Sequence, residues 1–313
     1  MSEISKIRNI LQEATSDCSS QHLALSGGLD STILAYLLKG KKPSCLAIIS
    51  RDHTANDLTY CQLAAQRFDL ELAIKMFDVS QILDGVEQTI KILKNFNDIE
   101  IRNNVVPYLA ISEVKTQGFG GIITGDGADE LFAGYNFLLN KTIPDLESDL
   151  KRIAKIMHFP SQKLGQALGI KVESPFCSDL VKEFAKNMPA SEMIGIHDGK
   201  KFGKFILRQA FDGAIPPQIA WRQKSPMQEG AGTQGLTEFF DGMIPDEMFL
   251  EKIRQIKQAD NITIRSKESL HYYEIYRKYH SPSIAKSDHS CPDCHYMIEE
   301  DSRFCRMCGR FPI

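Results

Sequence analysis

Two short polar stretches in this 313-residue chain carry side chains suited to phosphate and its counter-ions. The first, Ser26-Gly27-Gly28-Leu29-Asp30-Ser31, interrupts the apolar run Leu23-Ala24-Leu25. Glycines have no Cβ, so their N–H groups can approach an anion closely. A helix starting directly behind them adds unpaired donors and the positive end of its dipole. Ser26 and Ser31 add hydroxyls. Asp30 is the odd member, because a carboxylate beside phosphate repels it unless a cation lies between; it is therefore a candidate Mg²⁺ ligand. The second stretch is Thr124-Gly125-Asp126-Gly127-Ala128-Asp129-Glu130, followed by Leu131-Phe132-Ala133-Gly134-Tyr135. Its three carboxylates are costly to gather unless a cation or a travelling proton uses them. A solvated acidic loop is the plain alternative, and the glycines and apolar flanks argue against it.

A third group closes the sequence. Cys291-Pro-Asp-Cys294 and Cys305-Arg-Met-Cys308 are separated by ten residues. Two such knuckles offer four thiolates to a tetrahedral Zn²⁺, the pattern of a zinc ribbon. A tail this short cannot bury a useful core alone, so metal binding has to supply most of its folding energy. Two disulfides are one alternative, disfavoured in a chain expected to be cytoplasmic, and redox dithiols are a lesser one. His289 and His295 are stand-in ligands the four cysteines make unnecessary.

The elements that must position these groups follow from periodicity. Ile4, Ile7, Ile10 and Leu11 predict an amphipathic helix ending near Ser16-Asp17. After the first loop and its helix, Cys45 to Ser50 reads as a strand and Leu58 to Phe68 as a helix. Leu72, Ile74 and Met76 alternate as a third strand, and a helix follows over 80–94. Pro107 suits the first turn of the next helix, and Gly121 to Thr124 is a fourth strand. Strands alternating with helices predict an α/β fold with a doubly wound parallel sheet. Both glycine-rich loops then lie beyond carboxyl ends of strands, where such sheets bind ligands. From Ile143 onward the pattern is mainly helical, with Phe202 to Phe211 as one helix. Met227 to Gly235, rich in glycine and polar residues, reads as a mobile loop over a site or as a plain exposed loop, and composition favours the second. The expected division is 1–280 for the main domain, 281–290 for a linker and 291–313 for the ribbon.

Composition sets outer bounds. A formal charge of −3 gives no global attraction for nucleic acid or anionic membrane. No apolar run is long enough to span a bilayer, and residues 1–6 lack the apolar segment of a signal peptide. Cys18, Cys45, Cys61 and Cys177 are scattered, as reduced core cysteines usually are.

The Ser26–Ser31 string resembles the PP-loop of ATP pyrophosphatases, enzymes that cut ATP between its α and β phosphates and adenylylate a substrate. More of the chain extends the likeness. The two loops, Val172-Glu173-Ser174-Pro175-Phe176, Lys204 to Phe211 and Ala220-Trp221-Arg222-Gln223-Lys224 together resemble the synthetase domain of glutamine-hydrolysing asparagine synthetases. The likeness covers roughly residues 20 to 280. It implies that the aspartate β-carboxylate attacks the α-phosphorus of MgATP, giving β-aspartyl-AMP and pyrophosphate, and that ammonia then displaces AMP. By the same resemblance Leu25, Ser26, Gly27, Gly28, Asp30 and Ser31 bind ATP and pyrophosphate. Ser50, Thr124 and Gly125 border the adenosine, and Asp30 and Asp129 hold Mg²⁺. Lys224 neutralises charge on the phosphates, with Arg102 on the same side, and Asp126 takes the proton of the incoming amine. Nucleotidyl transfer relies mainly on positioning and cations, which suits such a set.

The chain departs from that family in three places. Residue 2 is serine, and the short segment before the first loop is not expected to hold a glutaminase. Ammonia is then expected from solution or from a separate glutaminase subunit. Met227-Gln228-Glu229-Gly230 and Arg51-Asp52-His53-Thr54 also depart from the family pattern, which bears on the acceptor more than on the ATP chemistry. Two other functions compete. One is a PP-loop enzyme acting on tRNA or a carrier protein, with Arg303, Arg306 and Arg310 touching phosphate; the other is a non-catalytic scaffold whose ribbon recruits a partner.

Overall fold

The computed structural model describes residues 2–284 and 289–313. Helix α1 (Glu3–Ser16), capped by the Ser2 hydroxyl, leads into β1 (His22–Ala24) and α2 (Leu29–Leu38). There follow β2 (Ser44–Ser50), α3 (Leu58–Phe68), β3 (Leu72–Phe77), α4 (Val79–Leu93), α5 (Asp98–Thr116) and β4 (Gly121–Ile123). The second half runs α6 (Ala128–Leu131), α7 (Ile143–Ile156), α8 (Pro160–Leu168), β5 (Lys171–Glu173) and α9 (Asp179–Asn187). A hairpin of β6 (Gly195–His197) and β7 (Lys200–Phe202) precedes α10 (Phe205–Phe211) and α11 (Pro217–Ala220). Last come α12 (Met227–Ala231), α13 (Leu236–Met243), α14 (Asp246–Asp260) and α15 (Lys267–Tyr279).

Strands β1 to β5 form one parallel sheet in the order β3-β2-β1-β4-β5. The chain winds outward from β1 to β3, then returns across it to β4 and β5. The order therefore reverses between β1 and β4, and both polar loops leave the sheet at that crevice, where doubly wound folds bind ligands. The alternating faces of the strands feed two cores. Leu23, Cys45 and Ile123 pack against α1, α2, α3 and α10, whereas Leu46, Ile48 and Ile122 pack against α4, α5, α8 and α15. Helices therefore lie on both faces of the sheet, as a parallel sheet requires.

Three expectations need correction. Helix α5 does not open at Pro107; Asn97 caps it, and Ile101 and Val105 are already buried ahead of the proline. The helix expected over 202–211 begins only at Phe205, because residues 200–202 pair with β6. Residues 227–235 are not an exposed loop: they form α12 and a 3₁₀ turn, with Gly230, Ala231 and Thr233 buried. Of the expected linker, residues 285–288 lie outside the described residues. Among the described residues no helix is long and apolar enough to cross a membrane.

Candidate functional site

The first loop is tied by its own hydroxyls. Ser31 Oγ accepts from the Ser26 amide at 3.2 Å and lies 3.1 Å from Ser26 Oγ, which in turn accepts from the Gly28 amide at 3.3 Å. Leu25 is buried and its amide donates to the Leu46 carbonyl. Gly27 has φ +68°, and a Cβ there would run into the backbone of Tyr60 and Cys61. Only glycine meets both demands. The second loop touches the first: a Cβ on Gly125 would lie 3.1 Å from that of Asp30.

Between the loops sits a residue that the site expectations did not include. Lys204 immediately precedes α10 in the left-handed region (φ 53°) and is 4 % exposed. Its ammonium lies 2.5 Å from Asp30 Oδ2 and 2.7 Å from Asp129 Oδ1, and Lys224 approaches Asp129 Oδ2 at 2.5 Å. Two carboxylates and two ammoniums thus alternate. Burial alone would raise the Asp129 carboxyl, but Lys204 and Lys224 hold it well below the usual carboxylate range. Burial works against the Lys204 charge, and Asp129 and Asp30 outweigh it, so this lysine stays protonated. Arg208, whose own pKa burial brings down to about 10, ties the backbone of the site together. It donates to the carbonyls of Gly203, Ala220 and Arg222, joining the turn that carries Lys204 to the segment that carries Lys224.

The other expected residues divide. Ser50 is buried at the end of β2, 3.1 Å from His53 Nδ1. Asp126 lies among hydroxyls: its Oδ2 accepts from Ser161 Oγ at 2.5 Å and Thr124 Oγ1 at 2.8 Å, and Thr124 also meets Ser174 Oγ. Burial raises its carboxyl, partly offset by those donors. Arg102 already has protein partners. Its guanidinium is buried and bonded to Glu268 Oε2 at 2.5 Å, Gln228 Oε1 at 3.0 Å and the Thr237 hydroxyl. It holds α5 to α12, α13 and α15, because a buried cation needs a buried anion and Glu268 supplies it.

The segments 51–57 and 227–235, which carry the two internal departures noted above, pack on each other. The Asp57 amide donates to the Gly230 carbonyl at 3.0 Å, and Gly235 lies against the His53 ring. Asp57 pairs with Arg222 at 3.0 Å, and that guanidinium stacks 3.8 Å above the Tyr60 ring centroid.

A family model described as asparagine synthase matches residues 7–148 and 144–281. The chain belongs to the asparagine synthase family. Asparagine synthetase B [glutamine-hydrolyzing] of Escherichia coli is 26 % identical over 311 residues, covering 89 % of this chain and 55 % of that one. Asparagine synthetase [glutamine-hydrolyzing] 1 of Saccharomyces cerevisiae is 26 % identical over 264 residues, covering 79 % and 45 %. The chain spans about half the length of the curated relatives it matches. A solved NMN synthetase from Francisella tularensis overlaps 90 % of this chain and 95 % of its own at 13 % identity, with a TM-score of 0.41, too loose to bear on function.

In this asparagine synthase family member, Lys204 heads the Lys204–Phe211 motif. It fell inside the helix expected over 202–211 with no role assigned to it; its left-handed turn ahead of Phe205 sets it between the two loops. The matched family region ends at residue 281, before the cysteines. All eight cysteines are free, and the four tail sulfurs lie within 4.8 Å of one another. Cys291 and Cys308 are 3.7 Å apart and Cys294 and Cys305 3.5 Å, close to the roughly 3.8 Å edge of a tetrahedron with ~2.3 Å Zn–S bonds. His295 is turned away, its Nε2 lying 2.9 Å from the Asn261 carbonyl.

Proposed function

We propose that this protein is an ATP-dependent carbon–nitrogen ligase that adenylylates a carboxylate, the aspartate side chain, and passes the acyl group to ammonia. One observation carries the reading: the alternating Asp30–Lys204–Asp129–Lys224 network at the crevice between β1 and β4. In the first step a carboxylate oxygen attacks the α-phosphorus and the bond to the β-phosphate oxygen breaks, so pyrophosphate leaves. The charge on those leaving oxygens needs fixed cations, and Lys204 and Lys224 are held ready by the two aspartates. In the second step the amine nitrogen attacks the acyl carbon and AMP leaves with the bonding electrons. The amine must shed a proton, and Asp126 is the base on this reading; its raised pKa brings a carboxylate nearer to working pH.

The donor set fits Mg²⁺. Asp30 Oδ1 is buried without a hydrogen-bond partner, a hard oxygen free for a hard cation. Asp30 and Asp129 would hold the ion, which when bound supplies charge neutralisation for the triphosphate. The first loop, Ser50 and the Thr124–Gly125 backbone would receive ATP. Ammonia is taken from solution or from a separate glutaminase. For Cys291, Cys294, Cys305 and Cys308 we propose a structural Zn²⁺ in a ribbon over 291–313.

Pyrophosphate release from MgATP tests the ligase reading, measured with aspartate plus ammonia, with other amino acids plus ammonia, and with bulk tRNA. Release that needs aspartate and yields asparagine is the expected result. Release only with tRNA, or none with any acceptor, would overturn it.

A further inference from the structure

The four-cysteine tail is built into the main domain. Cys291, Cys294, Cys305 and Met307 belong to the same apolar cluster as Phe96, Ile101, Tyr273 and Tyr276. Each knuckle grips a different part of the chain. The first holds the connection between α14 and α15. The Asp293 carbonyl accepts from the Thr263 amide at 2.8 Å, and the buried Asp293 carboxylate receives Arg265 Nε at 2.6 Å and, from within the tail, Arg310. His295 adds its contact to the Asn261 carbonyl. The second knuckle holds the start of α5. The Met307 carbonyl accepts from the Phe96 amide at 2.9 Å, and Gly309 (φ +77°) lies so close to the capping Asn97 that a Cβ would come within 2.9 Å of its Oδ1.

The two gripped segments face one seam. Across it Ser266 Oγ donates to Asp98 Oδ2 at 3.2 Å, and the buried Arg102–Glu268 pair joins α5 to α15. The knuckles have almost no core of their own, and beside the Asp293–Arg310 pair it is the four sulfurs that connect one to the other.

We propose that metal bound by the four thiolates closes an intramolecular clamp across the α5–α15 seam, so that the ribbon's docking partner is this protein's own ATP-binding domain. The ribbon surface that a recruitment module would offer is, on its inner side, already occupied. The proposal rests on the zinc reading of the cysteines and is independent of the ligase reading.

Hydrogen exchange on the full chain tests it, after metal analysis of the purified protein. About one Zn²⁺ per chain is expected; none would remove the metal and the clamp together. Chelation under reducing conditions should speed exchange at least about tenfold in peptides spanning 96–102 and 261–268, since local opening sets those rates. Metal released with both peptides unchanged would overturn the clamp while leaving the metal site standing. Should the metal-free chain unfold, Asp293→Ala with metal bound decides. That variant should loosen 261–268 and leave the Phe96 amide protected; unaltered exchange at 261–268 would overturn the proposal.

Discussion

The Lys204 ammonium lies 2.5 Å from the Asp30 carboxylate across 174 residues of sequence. The chain thus carries its own cation between two acidic loops that would otherwise repel. Removing it should leave the part-buried Asp30 without its counter-charge and Asp129 with Lys224 alone. Stripping one partner from a buried ion pair typically costs about 3–5 kcal/mol. Lys204→Met should lose stability on that scale in urea denaturation and release no pyrophosphate. Unchanged stability would show that the carboxylates find another counter-charge.

Gly134 follows the acidic loop, and a Cβ there would meet Asp129 Oδ1 and Lys204 Cε directly. Gly134→Ala should therefore fold but push the network apart. Misplacement of catalytic groups by about 1 Å can cost roughly 10²-fold in rate, and pyrophosphate release should fall on that order. Gly40→Ala is the control, because nothing lies within 4 Å of its Cβ position. Equal rates for the two variants would refute the argument.

Arg102 separates a positioning role from a phosphate-binding one. Its partner Glu268 is 1 % exposed, so Arg102→Met leaves an uncompensated buried carboxylate. Arg102→Met and Glu268→Gln should each destabilise by about 3–5 kcal/mol. The double variant should cost clearly less than their sum, as groups in contact do not add. Additive losses would dissolve the pair, and a raised KM for ATP without loss of stability would return Arg102 to the phosphates.

How far the sequence could be read depended on how local each signal was. The α3 boundaries, Leu58 and Phe68, follow from apolar spacing alone. The first loop was legible as a tight strand-to-helix turn because glycines, hydroxyls and aspartate sit within six residues. Strand β5 was hidden, since Lys171-Val172-Glu173 offers one apolar side chain and becomes a strand only by pairing with β4. Lys204 was hidden for a related reason: its role comes from partners in two distant loops and from a left-handed turn no periodicity announces. Arg102 stayed open because an isolated arginine near acidic neighbours reads alike whether its anion is phosphate or Glu268.

Asp57 gives the pH test. Burial pushes its carboxyl up from 3.8 to about 6, despite the opposing pull of Arg222. The unfolded chain gives up this proton near pH 3.8, whereas the folded chain keeps it to about 6, so within that window the folded state binds more protons. Stability from this group is therefore present at low pH and lost as pH rises from about 4 to about 6, by about 3 kcal/mol at most. Asp129 works in the opposite sense: its carboxyl is held low, so its contribution is present at neutral pH and lost in acid. The Asp129 effect is common to wild type and Asp57→Asn and cancels in their difference. The stability of wild type relative to Asp57→Asn, from urea denaturation at a series of pH values, should fall between pH 4 and 6 and stay level from 6 to 8. A difference that is flat below pH 6 would mean Arg222 holds the Asp57 carboxylate ionised throughout.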